Sequence, residues 1–346
     1  MGQENDEKNT PIEEDFTVDS FRKEDAPGIV RLFHSVYGDQ YPIRHFYDPA
    51  AVTAANEEGR YYPIVVRTAS GRIIGAWHLY RSAPYSSLYE AGAGLVLKEY
   101  RNRGLNSLIA SYLYNEFIPQ KPNIEETFGE AVCNHIFMQK TIVAYRHIET
   151  ALEVALMPAE TYSKEKSAMG RVATLTTFRC YKSKPHRVYL PACYAPVLRS
   201  IYERLDDGRD LAISDGKIPI NLKTKAEMTV FDFARVARIA VHETGDDFKT
   251  YLGDLEKKAQ AQKVVVFQVW LNLTQPWVGE AVESLRGMGY FLGGALPRWF
   301  DVDGLLMQKL LCPPDFDFIQ LYTDEAKDLL AVIRKDWQRA ETSYSK

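Results

Sequence analysis

The chain of 346 residues has only four cysteines, Cys133, Cys180, Cys193 and Cys312, scattered without a CxxC pair. That excludes a zinc knuckle and a disulfide framework, and predicts reduced, mostly buried thiols. Basic surplus is also missing. With 42 Lys and Arg against 46 Asp and Glu, the net charge is -4. The chain therefore lacks the excess that displaces counterions from phosphates, and nucleic acid is excluded as an expected partner. No uninterrupted apolar run approaches the ~20 residues of a membrane span. The acidic stretch Met1 to Asp15 has no apolar signal core, so a soluble, cytoplasmic protein with no membrane partner is expected. Met1-Gly2 opens like a myristoylation signal, but Asp6 stands where Ser or Thr is required. His34, His45, His78, His147, His186 and His242 show no HxxxH or Cys-paired spacing, so no metal site is expected.

The length, with 46% hydrophobic residues, suffices for two cores. Residues 1–15 have the composition of a solvated, disordered tail. Alternation over Phe16 to Phe21 predicts a strand, and Ile29, Leu32, Phe33 and Val36 recur at helical spacing. A helix is expected over Pro49 to Glu58 with Gly59 as its C-cap. Strands follow at Tyr61 to Thr68 and Arg72 to Tyr80, hinged at Ser70-Gly71. Leu88 to Lys98 reads as a strand whose Gly92-Ala93-Gly94 interruption predicts a bulge. The next helix opens at Gly104, buries Leu105, Leu108, Ile109, Tyr112 and Leu113, and stops at Pro119 and Pro122. Glu125 to Val132 is then a strand and Asn134 to Tyr145 a helix with Asn134 as N-cap; Ile148 to Met157 and Arg171 to Lys182 are two closing strands. Pro185 to Pro191 reads as a linker. Beyond it, helices are expected at Pro196 to Leu205, Val278 to Met288 and Asp324 to Arg339, with strands at Arg235 to Val241, Val264 to Leu273 and Leu305 to Leu311.

The chemistry-bearing stretch is Leu95-Val96-Leu97-Lys98-Glu99-Tyr100-Arg101-Asn102-Arg103-Gly104-Leu105, an apolar strand end passing through a basic turn into a helix. The first helical N–H groups have no acceptors and the macrodipole adds positive charge, so such a junction holds a pyrophosphate on backbone alone. Gly104 clears a side chain from the approach, and Arg101 and Arg103 add charge. An ordinary basic turn before a helix is the bland alternative.

The stretch resembles motif A of the GNAT superfamily of acyl-CoA-dependent N-acyltransferases, an apolar strand followed by R-x-x-G-x-[GA]. Arg101 and Gly104 match; Asn106 replaces the small last residue. Glu90-x-Gly92, Phe128-x-Glu130-Ala131-Val132 and His135-x-x-x-Gln139-Lys140 extend the resemblance to a bacterial two-domain group of that superfamily. It implies an α/β (α+β) GNAT fold over 16–184, with a central mixed, splayed sheet flanked by helices, and a second, smaller GNAT-like lobe over 185–346.

For function the resemblance implies transfer of an acetyl or other short acyl group from acyl-CoA to a primary amine of a small molecule or protein lysine, by direct attack. Acetyl-CoA, or another acyl-CoA, is the implied co-substrate. Leu95, Val96 and Leu97 would line the thioester, one backbone N–H serving the oxyanion. Arg101, Asn102, Arg103, Gly104, Leu105 and Asn106 would hold the diphosphate. Glu90, Glu130 and His135 are the candidate bases; each also has a structural reading, as a paired carboxylate or a capping imidazole. Ile142 stands where the superfamily carries a Tyr acid, so Tyr145, three residues on, is the candidate acid, with core packing as its other reading. Tyr-rich stretches at Tyr37 to Tyr47 and Tyr80 to Tyr89 are placed on the acceptor side, where rings attract an amine or simply pack.

Ser284-Leu285-Arg286-Gly287-Met288-Gly289-Tyr290-Phe291 and the strand after it echo the later half of a GNAT fold without its Arg-x-x-Gly-x-Gly turn. This second lobe is expected not to bind CoA; covering the acceptor cleft, binding a regulator and homodimer formation stay open as its roles. A non-catalytic acyl-CoA sensor or interaction module is the rival reading of the whole.

Overall fold

The computed structural model describes residues 14–39, 44–158, 170–205 and 207–344. The tail expected at 1–15 therefore falls almost wholly outside the described residues, as does part of the Tyr-rich stretch after Tyr37. The chain divides into two compact units, one of residues 1–78 and 93–120, the other of 79–92 and 121–346.

In the first unit, β1 (Phe16–Ser20) pairs antiparallel with β2 (Tyr61–Thr68), setting Phe16 opposite Thr68. Between them run α1 (Ala26–Tyr37), which buries Ile29, Leu32 and Phe33 as its period predicts, and α2 (Pro49–Glu57). Asp48 caps α2 by accepting the Ala50 N–H at 2.9 Å. Gly71, at φ 84°, turns the chain into β3 (Ile73–Tyr80). β4 (Leu88–Val96) is broken at Ala93, which takes a left-handed φ of 50° at the expected bulge. The division between units crosses β3 after His78 and β4 before Ala93. α3 (Leu105–Tyr112) buries Leu105 and Ile109, but Leu108, expected inside, is 46% exposed. A π-helical turn, Leu113–Phe117, and a last tight turn at Ile118–Gln120 end it around Pro119.

The second unit is a mixed sheet with helices packed against it. Its strands run β4, β5 (Glu126–Val132), β7 (Arg171–Cys180), β6 (Ile148–Pro158), β13 (Phe291–Leu296), β14 (Gly304–Leu310), β12 (Val266–Asn272), β11 (Val236–Glu243), β10 (Lys225–Phe231). α4 (Phe137–Ala144) follows β5, and α5 (Ala195–Leu205) packs on β6 and β13. α6 (Phe248–Ala261) joins β11 to β12, α7 (Val278–Gly287) joins β12 to β13, and α8 (Asp324–Tyr344) packs on β13 and β6.

The topology is duplicated. β4 and β5 are parallel, β5 and β7 antiparallel, β6 and β7 antiparallel. β11 and β12 are parallel, β12 and β14 antiparallel, β13 and β14 antiparallel. Strand–helix–strand–helix–strand–strand thus occurs twice, with the last two strands exchanged in order both times. The copies meet where β6 and β13 pair antiparallel at Ala151 and Gly294. There the side chain of Gln308 serves as extra backbone: Nε2 donates to the carbonyls of Leu152 (2.9 Å) and Leu292 (3.1 Å), and Oε1 accepts the Val154 N–H. One apolar core takes Cys133, Leu152 and Leu175 from the first copy together with Val188, Leu198, Phe248, Leu285, Met307 and Ile333.

Several expectations change. Pro185 to Pro191 is not a linker: β8 (Arg187–Leu190) runs parallel to β9 (Asp210–Ile213), and Val188 and Leu190 are fully buried. α4 begins three residues after Asn134, with Ile136 at its N-cap and no side-chain cap. The four cysteines are free, but only Cys133 is buried, and Cys193 is exposed.

Candidate functional site

In the first unit the basic turn is built as a deliberate reversal. Leu97 continues from β4 and donates its N–H to the Ile74 carbonyl at 2.9 Å. Polar groups of alternate strand residues point to opposite sides. Leu97 and Leu95 therefore aim their N–H groups toward β3, and Val96 aims away from it. Of the three residues expected to offer an oxyanion donor, Val96 alone aims its amide to the side away from β3. Its carbonyl accepts Arg101 Nε at 3.3 Å, which fastens the exposed Arg101 beside the strand end.

After a tight turn at Lys98–Tyr100, Asn102 (φ 62°) and Gly104 (φ 74°) both adopt left-handed backbone. Asn and Gly tolerate that conformation best. The second reversal delivers the chain into α3, where the N–H groups of Ser107 and Leu108 turn back to the Gly104 carbonyl at 3.0 and 3.1 Å. A Cβ at Gly104 would meet nothing within 4 Å among the described residues. Arg103 lies over the Tyr100 ring at 5.5 Å, and Tyr100 donates its hydroxyl to Glu14 at 2.8 Å. Leu105 is buried, anchoring the helix, while Asn102, Gly104 and Asn106 are exposed.

In the second unit three carboxyls converge. The β4–β5 ladder covers three pairs, Leu88 to Glu90 with Glu126 to Phe128, against six between β11 and β12. Glu90 closes that short ladder and accepts the hydroxyls of Tyr80 (2.5 Å) and Ser82 (2.6 Å). Glu130 lies two residues past the ladder's end on β5. Arg238, from β11, donates Nη2 to Glu130 Oε1 and to Glu153 Oε2, both at 3.1 Å. Gln268 joins them, accepting Arg238 Nε at 2.8 Å and donating to Glu153. Glu153 also accepts Thr176 Oγ1 at 3.1 Å. Burial pushes the Glu90 carboxyl above its usual range, against its hydroxyl donors; burial and the neighbouring Glu153 push Glu130 well above it, against Arg238. Among the described residues no group of His, Cys, Asp and Glu is arranged to hold a metal.

The other two candidates lie at the two ends of α4. His135 precedes α4, half-buried, its ring 5.4 Å from that of Phe137 and its Nδ1 buried without a hydrogen-bond partner among the described residues. Tyr145 caps the C-terminal end of α4, half-buried, and Ile142 is 3% exposed. Glu153, Arg238 and Gln268 went unmarked in the sequence reading. Their signal was there: each is a charged or amide residue flanked on both sides by apolar residues of its strand.

The second copy answers the first turn in the opposite sense. Between β11 and α6 stand Glu243-Thr244-Gly245-Asp246-Asp247. Asp246 accepts the Asn221 N–H (2.8 Å) and Lys223 Nζ (2.9 Å), and Asp247 accepts the Thr224 N–H (2.8 Å). A Cβ at Gly245 would lie 2.3 Å from the Leu222 carbonyl oxygen. This helix start is acidic and covered by the chain itself.

No protein-family model and no curated protein matches the chain. Solved structures that resemble it include an N-acetyltransferase from Staphylococcus aureus Mu50, 12% identical, TM-score 0.38, covering 49% of this chain and 99% of its own. The ribosomal-protein-S18-alanine N-acetyltransferase from Escherichia coli is 13% identical, TM-score 0.38, covering 49% and 96%. A putative acetyltransferase from Acinetobacter baylyi ADP1 is 13% identical, TM-score 0.40, covering 49% and 93%. Such low identity and scores leave the functional reading to the residues themselves.

Proposed function

We propose that the protein is an acyl-CoA-dependent N-acyltransferase of the GNAT type, with residues 16–184 as its catalytic part and 185–346 as a degenerate second copy. The observation that carries this reading is the turn from Val96 to Leu105: unencumbered glycine at a helix start, left-handed reversals, and an arginine fastened to the strand end. The helix start binds the diphosphate of acetyl-CoA or another acyl-CoA through its amides, with Arg101 and Arg103 adding charge. Asn106 in place of a small residue brings the helix less close to it. The Val96 amide stabilises the charge that develops on the thioester oxygen.

The acceptor is a primary amine, which arrives as an ammonium. Glu130 takes one proton, becoming a neutral carboxyl; Glu90 and Glu153 supply the negative surroundings that attract the cation. The amine lone pair forms the C–N bond as the C–S bond breaks; the acylated nitrogen sheds its extra proton to water, leaving a neutral amide, and the departing thiolate takes up a proton. Tyr145 or water supplies that proton. The second copy's acidic, covered helix start supports its reading as a lobe that does not bind CoA.

A second reading rests on buried Ile142 at the position of the expected acid: a sensor that binds acyl-CoA without turnover. Thiol release from acetyl-CoA over a panel of amines supports the enzyme; binding without release supports the sensor. Calorimetry tests the placement. Gly104→Trp is expected to weaken acetyl-CoA at least about tenfold, since the indole occupies the anion position. Gly104→Asn, which tolerates left-handed backbone, controls for strain by retaining the wild-type melting temperature. Unchanged affinity in Gly104→Trp removes the site from this turn.

A further inference from the structure

The second copy has lost its own turn, yet it sends one side chain into the carboxyl group of the first. Arg238 sits in Val236-Ala237-Arg238-Ile239-Ala240-Val241, on a strand whose neighbours Ala237, Ile239 and Val241 are buried. A guanidinium there carries a large desolvation cost unless it is fully paired. Two of its three nitrogens are paired, and aromatic rings flank the group. Nε binds Gln268, Nη2 binds Glu130 and Glu153, and the planar group lies 5.6 Å from the rings of both Trp270 and Phe231. Such a rigid fork fixes orientation as well as charge.

The two carboxyls it holds are unequal. Glu153 is 6% exposed and held by Gln268 and Thr176 as well, so Arg238 is one of three side-chain donors to it among the described residues. Glu130 is 17% exposed, with Arg238 donating to it and the Glu153 carboxyl beside it. Glu153 and Gln268 therefore anchor Arg238, and Arg238 in turn orients Glu130. We propose that Arg238, contributed by the degenerate copy, is a positioning residue for the acyl transfer: it presents the Glu130 carboxyl, at the accessible end of the cluster, to the ammonium of the acceptor. This rests on the transferase reading above, and it gives the second copy a part in the reaction that needs no CoA site of its own.

The charged and polar groups facing Glu130 are Glu90 from β4, Thr176 from β7, Glu153 from β6 and Arg238 from β11. Arg238 is the cation among them. Removing it leaves Glu130 beside two carboxyls, so the proton is held to higher pH and the base form appears later as pH rises. The experiment measures kcat/KM for the amine against pH at saturating acetyl-CoA, in wild type, Arg238→Met, Arg238→Lys and Glu130→Gln. In Arg238→Met the acid limb is expected to move up by about one pH unit, a tenfold loss on that limb, with acetyl-CoA affinity unchanged. Arg238→Lys, which keeps the charge without the fork, returns the limb toward wild type while leaving a lower plateau. Glu130→Gln loses at least about a hundredfold and its limb. A carbon-13 titration of labelled glutamate carboxyls reads the same shift directly, and Arg238→Gln, which also removes the charge, takes the place of Arg238→Met should the latter prove too unstable to assay. If wild type turns over and the limb and the Glu130 titration stay in place in the variants that remove the Arg238 charge, the positioning role is overturned and the transferase stands. If wild type binds acetyl-CoA but acylates no amine, the transferase reading fails and the role of Arg238 goes with it.

Discussion

Glu126 shows how one side chain can set the pH behaviour of the fold. It lies on β5, fully buried, and neither carboxyl oxygen has a hydrogen-bond partner among the described residues. Burial pushes it up to about 8, Arg209 opposing and Asp303 adding. The folded chain thus keeps this proton up to about pH 8, whereas the unfolded chain releases it near 4.5. Stability associated with the neutral acid is complete below the unfolded value and is lost as pH rises through that window. At pH 7 the loss amounts to about 3 kcal/mol. Glu126→Gln cannot titrate, so its stability relative to wild type should grow by about that much between pH 4.5 and 7 in urea titrations. A pH-independent difference would mean that Glu126 ionises normally in the fold. The neighbouring pair behaves in the other sense. Arg209, 3% exposed, binds Asp303 through Nη2 at 3.0 Å and through Nε, and that charge holds the Asp303 carboxyl below its usual range against burial. Arg209→Met strands a buried carboxylate and is expected to cost about 3–5 kcal/mol, read by chemical denaturation at pH 7.

At the scale of elements, the two strand-to-helix turns make the sharpest contrast. Gly104 opens onto space, and Gly245 is pressed against Leu222 to Thr224. Gly245→Ala should therefore destabilise by about 3 kcal/mol through overpacking, whereas Gly104→Asn should leave the melting temperature nearly unchanged. Equal effects at the two sites would show that the covering loop yields easily. Periodicity identified α1 and the helix after Gly104 through their apolar faces, and β-branched and aromatic runs identified β2 and β3, which are buried almost throughout. It passed over α6, although Phe248, Leu252, Glu256 and Ala259 share its buried side; Glu256 breaks the apolar stripe and is matched by Lys309, 3.0 Å away, from β14. It also misread β8, where flanking prolines looked like a linker while Val188 and Leu190 were core. Of the candidate site residues, those in the turn share one short stretch of chain, and their arrangement was legible there. Arg238 and Glu153 were not, because their partners lie 108 and 115 residues away in sequence, as the contacts Arg238 to Glu130 and Gln268 to Glu153 show.

At the scale of the molecule, the duplicated topology is joined through a glycine. Gly294 has φ 136°, and a Cβ there would come within 2.2 Å of the Thr150 carbonyl oxygen and 2.5 Å of Ala151 Cα. Only a residue without a side chain lets β13 approach β6 this closely. Gly294→Ala is expected to cost about 3 kcal/mol and to loosen Gln308, whose amide binds both strands. Hydrogen exchange should then show faster exchange at Val154, whose N–H donates to Gln308. Wild-type exchange at Val154 would mean that the joint does not depend on this contact.

The sequence by itself determined the alternation of strands and helices and the basic glycine turn, because period, turn chemistry and local charge act within a few residues. It also determined that the second half lacks such a turn. Only tertiary structure decided that residues 121–346 share a core across the position where a linker was expected, that the second copy's helix start is covered, and that Arg238 meets Glu130 and Glu153. Those outcomes depend on strand order and register, which bring residues more than a hundred positions apart into contact and which no local pattern encodes.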